Sequence, residues 1–226
     1  MFVVDGAGGY QHAPRSIASA IDELQLSLYV RSFDWTHGRG RGLADMLDLA
    51  YSCRQGQLLA DEVCRTRSQY PGLPVYLVAF SAGSGVALAA ASRLPPDTLE
   101  RIVLLAPAVS AGYDLRGALA SARQGLDAFT SENDRGWLGL GTGIIGTADG
   151  TRDAAAGRVG FRPPVLAPCE AWLASRLRQH PWDARAAWTG NDGGHAASLS
   201  PEYLKLYVLP LLQPTGAPAP VLVRAP

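Results

Sequence analysis

Val75-Tyr76-Leu77-Val78-Ala79-Phe80-Ser81-Ala82-Gly83-Ser84-Gly85-Val86-Ala87-Leu88-Ala89-Ala90-Ala91 decides the architecture of this chain. Its first part is a continuous apolar run with no polar alternation, the pattern of a strand buried on both faces of a parallel sheet. The strand is expected over residues 74–80. An alanine-rich helix follows over 85–94, stopped by Pro95 and Pro96. Between them Ser81 stands in a small-x-Ser-x-small turn, with Ala79 and Gly83 as the small residues. A sharp strand-to-helix turn needs small neighbours because its two arms approach closely, and it holds the serine hydroxyl clear of the backbone.

Working outward, short apolar runs alternate with segments of helical period, as in a mostly parallel sheet with helices on both faces. Strands are expected at 2–4, 27–33, 101–106 and 126–131. Pro14 opens a helix that runs to 24. Residues 43–70 read as one long amphipathic helix, interrupted by Gly56, with Met46, Leu47, Ala50, Cys53, Leu58 and Val63 as its buried face. Helices are also expected at 115–123, 171–177 and 201–212, the last with Ser200 as N-cap. The Gly-rich stretch 137–168 gives no clear element. No repeat is present, and residues 1–213 read as a single domain ahead of a Pro- and Ala-rich tail, 214–226.

Composition narrows the partners. Twenty basic residues balance twenty acidic ones, so no net field draws the chain toward nucleic acid or an anionic membrane. Lys205 is the sole lysine, and the arginines are scattered. No apolar run reaches the roughly 20 residues needed to span a bilayer, and no export signal precedes the first strand. Cys53 and Cys64 share the long helix at a separation of roughly 16 Å, too far to bridge. With Cys169 they make an odd count, which favours a reducing, cytoplasmic setting. They lack metal-ligand spacing and read as buried thiols. Neither a metal nor a cofactor is expected, and nothing sets an oligomeric state.

The Ser81 turn and the first-strand loop together resemble the α/β-hydrolase superfamily, its serine esterases and lipases in particular, over nearly the whole chain. Val4-Asp5-Gly6-Ala7-Gly8-Gly9 is similar to the His-Gly-x-Gly-Gly loop of small bacterial lipases, with Asp5 in place of the histidine. The resemblance implies that Ser81 is a nucleophile and that the backbone amides of Ala7 and Ala82 form an oxyanion hole. It also implies a compact α/β-hydrolase fold; because no long segment intervenes after Ala106, no large lid domain is expected.

A serine hydroxyl needs a base. His195 follows Asn191-Asp192-Gly193-Gly194 and precedes the closing helix, where the superfamily's histidine loop lies; His180, at a helix end before Pro181, lacks that context. For the acid, Ser131-Glu132-Asn133-Asp134 ends the strand 126–131, and Gly146-Thr147-Ala148-Asp149 is a second match. Asp134 is preferred because it needs no inserted element. Asp192 is a third option, and its nearness to His195 suits it to shaping the loop. Gly6, Gly8, Trp35, His37 and Tyr113 are candidates for the substrate pocket, against a plainer reading in which Trp35 packs the loop and His37 faces solvent. Ser84 and Asp114 read more simply as helix caps.

Two other classes compete. A dinucleotide-binding enzyme would need glycine or alanine where Gln11 and Leu88 stand. A hydrolase-fold binding protein without catalysis would lack the serine or the histidine, and both are here. The expected activity is therefore hydrolysis of a small-molecule or lipid-like carboxylic ester through an acyl-enzyme.

Overall fold

The computed structural model describes residues 1–134, 146–162 and 170–213, in which six strands form one sheet of order β2-β1-β3-β4-β5-β6. The strands are β1 Phe2–Val4, β2 Arg31–Phe33, β3 Tyr76–Phe80, β4 Arg101–Leu105, β5 Leu126–Thr130 and β6 Leu177–Pro181. Every pairing is parallel. The chain leaves β1 toward β2 on one side and returns as β3 on the other. The strand order thus reverses between β1 and β3, where loops at the carboxyl ends splay apart and leave a crevice.

Burial explains the layers. One face carries Val4, Leu77, Ala79, Ile102, Leu104 and Ala128 against helices α3 Leu49–Gln69, α4 Gly83–Ala91 and α5 Arg116–Ser121. The other carries Val3, Tyr76, Val78, Val103, Leu105 and Phe129 against α1 His12–Glu23 and the closing helical segment. Alternate residues of one strand serve opposite faces, so β3, and β4 after Arg101, are apolar throughout.

The long helix expected over 43–70 is two. Asp48 leaves helical geometry at φ −89°, ψ 79°, and its carboxylate accepts the Tyr51 amide at 2.8 Å, which ends α2 Gly42–Leu47 and caps α3. The buried face also differs, being Gly56, Leu59, Ala60 and Val63, while Leu47, Cys53 and Leu58 are exposed. Gly56 is a contact point and not an interruption: a β-carbon there would stand 2.8 Å from that of Ala89 on α4. Cys53 and Cys64 are exposed, against the expectation of buried thiols; Cys169 lies outside the described residues.

Three further expectations change. β2 begins at Arg31 and not at 27. The helix expected over 171–177 stops at Ala174, and Leu177–Pro181 is the edge strand β6. This strand is polar because its Arg178 and His180 bond a buried carboxylate, Asp127 on β5, so it shows no apolar run. The closing segment runs from a helical turn at Pro201–Tyr203 through Leu204–Val208 to Leu209–Leu212, and Ser200 makes no side-chain cap. The stretch 137–168 is described only at 146–162, and the 214–226 tail lies outside the described residues.

Candidate active site

Ser81 is the first residue after β3 and has φ 52°, a left-handed conformation that side-chain-bearing residues rarely adopt. Such strain costs on the order of 1–3 kcal/mol and persists only where the surroundings enforce it. They do so here. The Ser81 amide donates to the Leu105 carbonyl at 2.9 Å, and its own carbonyl accepts the amides of Ala108 and Ser84, each at 3.1 Å. The turn therefore presents the hydroxyl at the carboxyl edge of the sheet.

His195 comes from the loop between β6 and the closing segment. Within that loop Asn191 Oδ1 accepts the Gly193 amide at 3.0 Å, and Asp192 Oδ1 accepts the Gly194 amide at 2.8 Å. Asp192 thus shapes the loop. Gly193, at φ 85°, lies where a β-carbon would meet Ser131 Oγ at 2.9 Å, so only glycine lets this loop close onto the end of β5. Trp182 fixes the same approach, donating its indole N–H to the Asn191 carbonyl at 2.8 Å.

The result is a continuous chain of contacts. His195 Nε2 lies 2.8 Å from Ser81 Oγ, and His195 Nδ1 lies 2.5 Å from Asp134 Oδ2. Asp134 is buried, at 3% exposure. Asp149 is held elsewhere, accepting the Ser110 amide at 2.9 Å and the Ser110 hydroxyl at 2.6 Å. His180 bonds Asp127 Oδ1 at 2.8 Å and stacks on Phe129, with ring centroids 4.6 Å apart. Of the two late histidines, only His195 contacts the serine.

The loop after β1 faces this chain. A β-carbon on Gly6 would stand 3.3 Å from Ser81 Cβ, which brings the backbone of the loop against the serine turn. Asp5 turns away from it, accepting the amides of His12 and Ala13 at 2.9 and 3.0 Å. It thereby caps α1, whose Gln11 makes no side-chain cap. Trp35, 1% exposed, donates its indole N–H to the Asp5 carbonyl at 2.8 Å. It is a core residue that holds the loop. The next turn is held by Asp45 Oδ2, which accepts the Gly8 amide at 2.8 Å. Sequence reasoning missed Asp45, an acid inside an amphipathic segment with no motif to mark it. Ala82 heads α4, whose N-terminus favours negative charge.

The remaining candidates fall outside this cluster. His37 is bound to Asp45 and packed in tilted contact with Tyr51, 3.9 Å between ring centroids, so it does not stand free in solvent. Tyr113 is packed against the core, and burial, reinforced by the charge of Asp149, raises its phenol to about 12. Ser84 is buried with no hydrogen-bond partner for its hydroxyl among the described residues, so it is not a cap. Asp114 accepts the Arg116 amide at 3.0 Å ahead of α5. A groove of about 350 Å³ runs past Phe80 and Ala196 between His12 and Ser16 of α1 and the 197–200 turn. Phe80, which lines this groove, has its ring centroid 5.1 Å from that of His195. Among the described residues no three His, Cys, Asp or Glu side chains are grouped to hold a metal, and no helix is long and apolar enough to cross a membrane.

No protein-family model matches this sequence, and no curated protein matches it. Among solved structures the chain is similar to a proposed hydrolase of the alpha/beta superfamily from Xanthomonas campestris pv. campestris, at 18% identity and a TM-score of 0.46 over 90% of this chain and 95% of that one. It is also similar to a proposed carboxylesterase from Lactobacillus plantarum WCFS1, at 12% identity and a TM-score of 0.46 over 90% and 84%. A third is the carboxylesterase CesB of Bacillus subtilis, at 15% identity and a TM-score of 0.41 over 93% and 83%.

Proposed function

We propose that this chain is a serine hydrolase that cleaves carboxylic esters through an acyl-enzyme. The reading rests above all on one observation: a strained serine, a histidine and a buried carboxylate in a line of two hydrogen bonds, at 2.8 and 2.5 Å. In this mechanism Ser81 Oγ attacks the ester carbonyl carbon as His195 Nε2 takes its proton. Asp134 keeps the other ring proton on Nδ1 and stabilises the imidazolium. Charge develops on the carbonyl oxygen, and the Ala7 and Ala82 amides receive it. His195 then gives its proton to the leaving alcohol. A water activated by the same nitrogen attacks the acyl carbon and releases the acid, restoring Ser81.

The test is turnover of p-nitrophenyl esters from acetyl to palmitoyl by wild type beside Ser81→Ala. Turnover by wild type that vanishes in Ser81→Ala is the expected result. Equal rates in both would remove the assignment.

A further inference from the structure

Asp45 is 2% exposed on a short helix, and a buried carboxylate is expensive unless its oxygens are bonded. Here both are. Oδ2 accepts the Gly8 amide at 2.8 Å, while Oδ1 accepts the His37 amide at 2.7 Å and meets His37 Nδ1 at 2.9 Å. An oxygen that already accepts an amide is an acceptor for the ring nitrogen too, so Nδ1 carries the proton. The carboxylate thus ties the loop after β1 to the loop after β2.

Other contacts close the same clamp. The Gly40 amide donates to the Gly8 carbonyl at 2.8 Å, so both polar groups of Gly8 are held from the 37–45 segment. A β-carbon on Gly42 would stand 3.5 Å from the Gly8 nitrogen, so the first residue of α2 lies directly on this turn. His37 is backed by the Tyr51 ring of α3, and the Tyr51 hydroxyl donates to the Thr36 carbonyl at 3.2 Å. Asp48 Oδ2 lies 3.5 Å from His37 Nε2 on the ring's other side.

We infer that Asp45, with His37 behind it, is a positioning residue for the oxyanion amide of Ala7. The peptide joining Ala7 to Gly8 is planar, so fixing the Gly8 N–H fixes the Ala7 carbonyl, and the Ala7 N–H is left only its own two dihedrals. Gly8 itself has φ 97°, a conformation open to many alternatives unless it is held. Asp5 secures the start of the loop on α1, and Asp45 secures the turn just beyond Ala7. The inference rests on the serine-hydrolase reading and adds to it the residues that hold the hole in shape.

The experiment compares wild type, Asp45→Asn, Asp45→Ala and His37→Phe. Each is first titrated with a fluorophosphonate, so that rates are expressed per reactive Ser81. For the best p-nitrophenyl ester, kcat per titrated site is expected to fall about 10- to 100-fold in Asp45→Ala, with KM within about threefold of wild type, because a misplaced amide weakens only the transition state. Asp45→Asn keeps an acceptor for Gly8 and should fall less. His37→Phe keeps a ring against Tyr51, loses the Nδ1 bond and should fall least. Affinity for a trifluoromethyl ketone, whose hemiketal adduct with Ser81 Oγ places its oxygen in the hole, should drop by the same factor as kcat/KM.

A kcat per titrated site within twofold of wild type in Asp45→Ala would overturn the inference. So would a rise in KM in place of the fall in kcat. Should Asp45→Ala not fold, the Asn and Phe variants carry the same comparison. Wild type that fails to label at Ser81 would overturn the hydrolase reading itself, and the inference with it.

Discussion

Gly83 and Asp5 touch through backbone alone: a β-carbon on Gly83 would stand 2.3 Å from the Asp5 carbonyl oxygen and 2.8 Å from that of Val4. The start of α4 is therefore pressed onto the end of β1, which is how the serine turn and the Gly6–Gly9 loop come to face each other. Neither obstacle is a flexible side-chain end, so an added methyl must push the helix or the loop away. Gly83→Ala is expected to destabilise the fold by about 1–3 kcal/mol, as overpacking does. It should also lower esterase kcat, because the displaced partner carries one of the two proposed oxyanion amides. A urea midpoint and kcat both equal to those of wild type would show that the contact is not tight.

In the proposed mechanism Ser81, His195 and the proton between them act as one unit, so removing either should remove nearly the whole effect. Ser81→Ala and His195→Ala are each expected to lower kcat on the order of 10⁴-fold or more, with unfolding curves close to wild type. The double variant should be no slower than the singles by more than a small factor. Near wild-type turnover by either purified variant would contradict the assignment.

Asp127 answers to pH in a direction that can be worked out. Burial pushes its carboxyl up, but bonds from His180, Arg178 and Arg101 outweigh this and hold it well below the usual range. A carboxyl depressed on folding contributes stability above its unfolded value, about 3.9, and loses it as pH falls further. Asp127→Asn leaves Arg101 and Arg178 without their shared counter-charge, and Arg101 is only 13% exposed. The variant should therefore be less stable at pH 7 by about 3–5 kcal/mol, somewhat less if the half-exposed Arg178 reaches solvent. The difference should shrink as pH drops below about 4. Urea midpoints from pH 7 to 3 measure it; a gap that widens on acidification would refute the account.

The parts of the fold that were legible in the sequence are those where burial acts on both faces of a strand. β1, β3, β4 and β5 appear within a residue or two of their expected limits: β1 and β3 are unbroken apolar runs, β4 is one after Arg101, and β5 is apolar but for Asp127 and the closing Thr130. β6 was hidden because it is an edge strand whose Arg178 and His180 serve a buried charge, and its composition reads as surface. The split at Asp48 was hidden because an Asp inside a helical pattern breaks it only when its carboxylate finds the amide three residues on. Ser81 and His195 were legible from context, with strand, turn and late loop in order. Asp45 was not, because nothing local distinguishes a carboxylate that meets Gly8 across 37 residues of chain from an ordinary helix-surface acid.

The acid of the proposed triad gives the sharpest comparison, because two aspartates compete on sequence and sit in different bonds. Asp134 follows β5, and its Oδ2 is 2.5 Å from His195 Nδ1. Asp149 is engaged with the amide and hydroxyl of Ser110, at 2.9 and 2.6 Å, on the loop that follows β4. In Asp134→Asn the side chain can present an N–H to Nδ1, which favours the tautomer with its proton on Nε2. That nitrogen then cannot accept the Ser81 proton, and such a change alone can lower kcat about 10⁴-fold. Asp149→Asn keeps an oxygen for the Ser110 amide and disturbs only a loop contact. Asp134→Asn is therefore expected to lose more kcat than Asp149→Asn by a factor of roughly 10² or greater, with both proteins folded. Because the lost activity depends on a tautomer, raising pH should restore little of it in Asp134→Asn. Equal losses, or a larger loss in Asp149→Asn, would move the acid to the Ser110 loop and require that loop to rearrange before His195 can work.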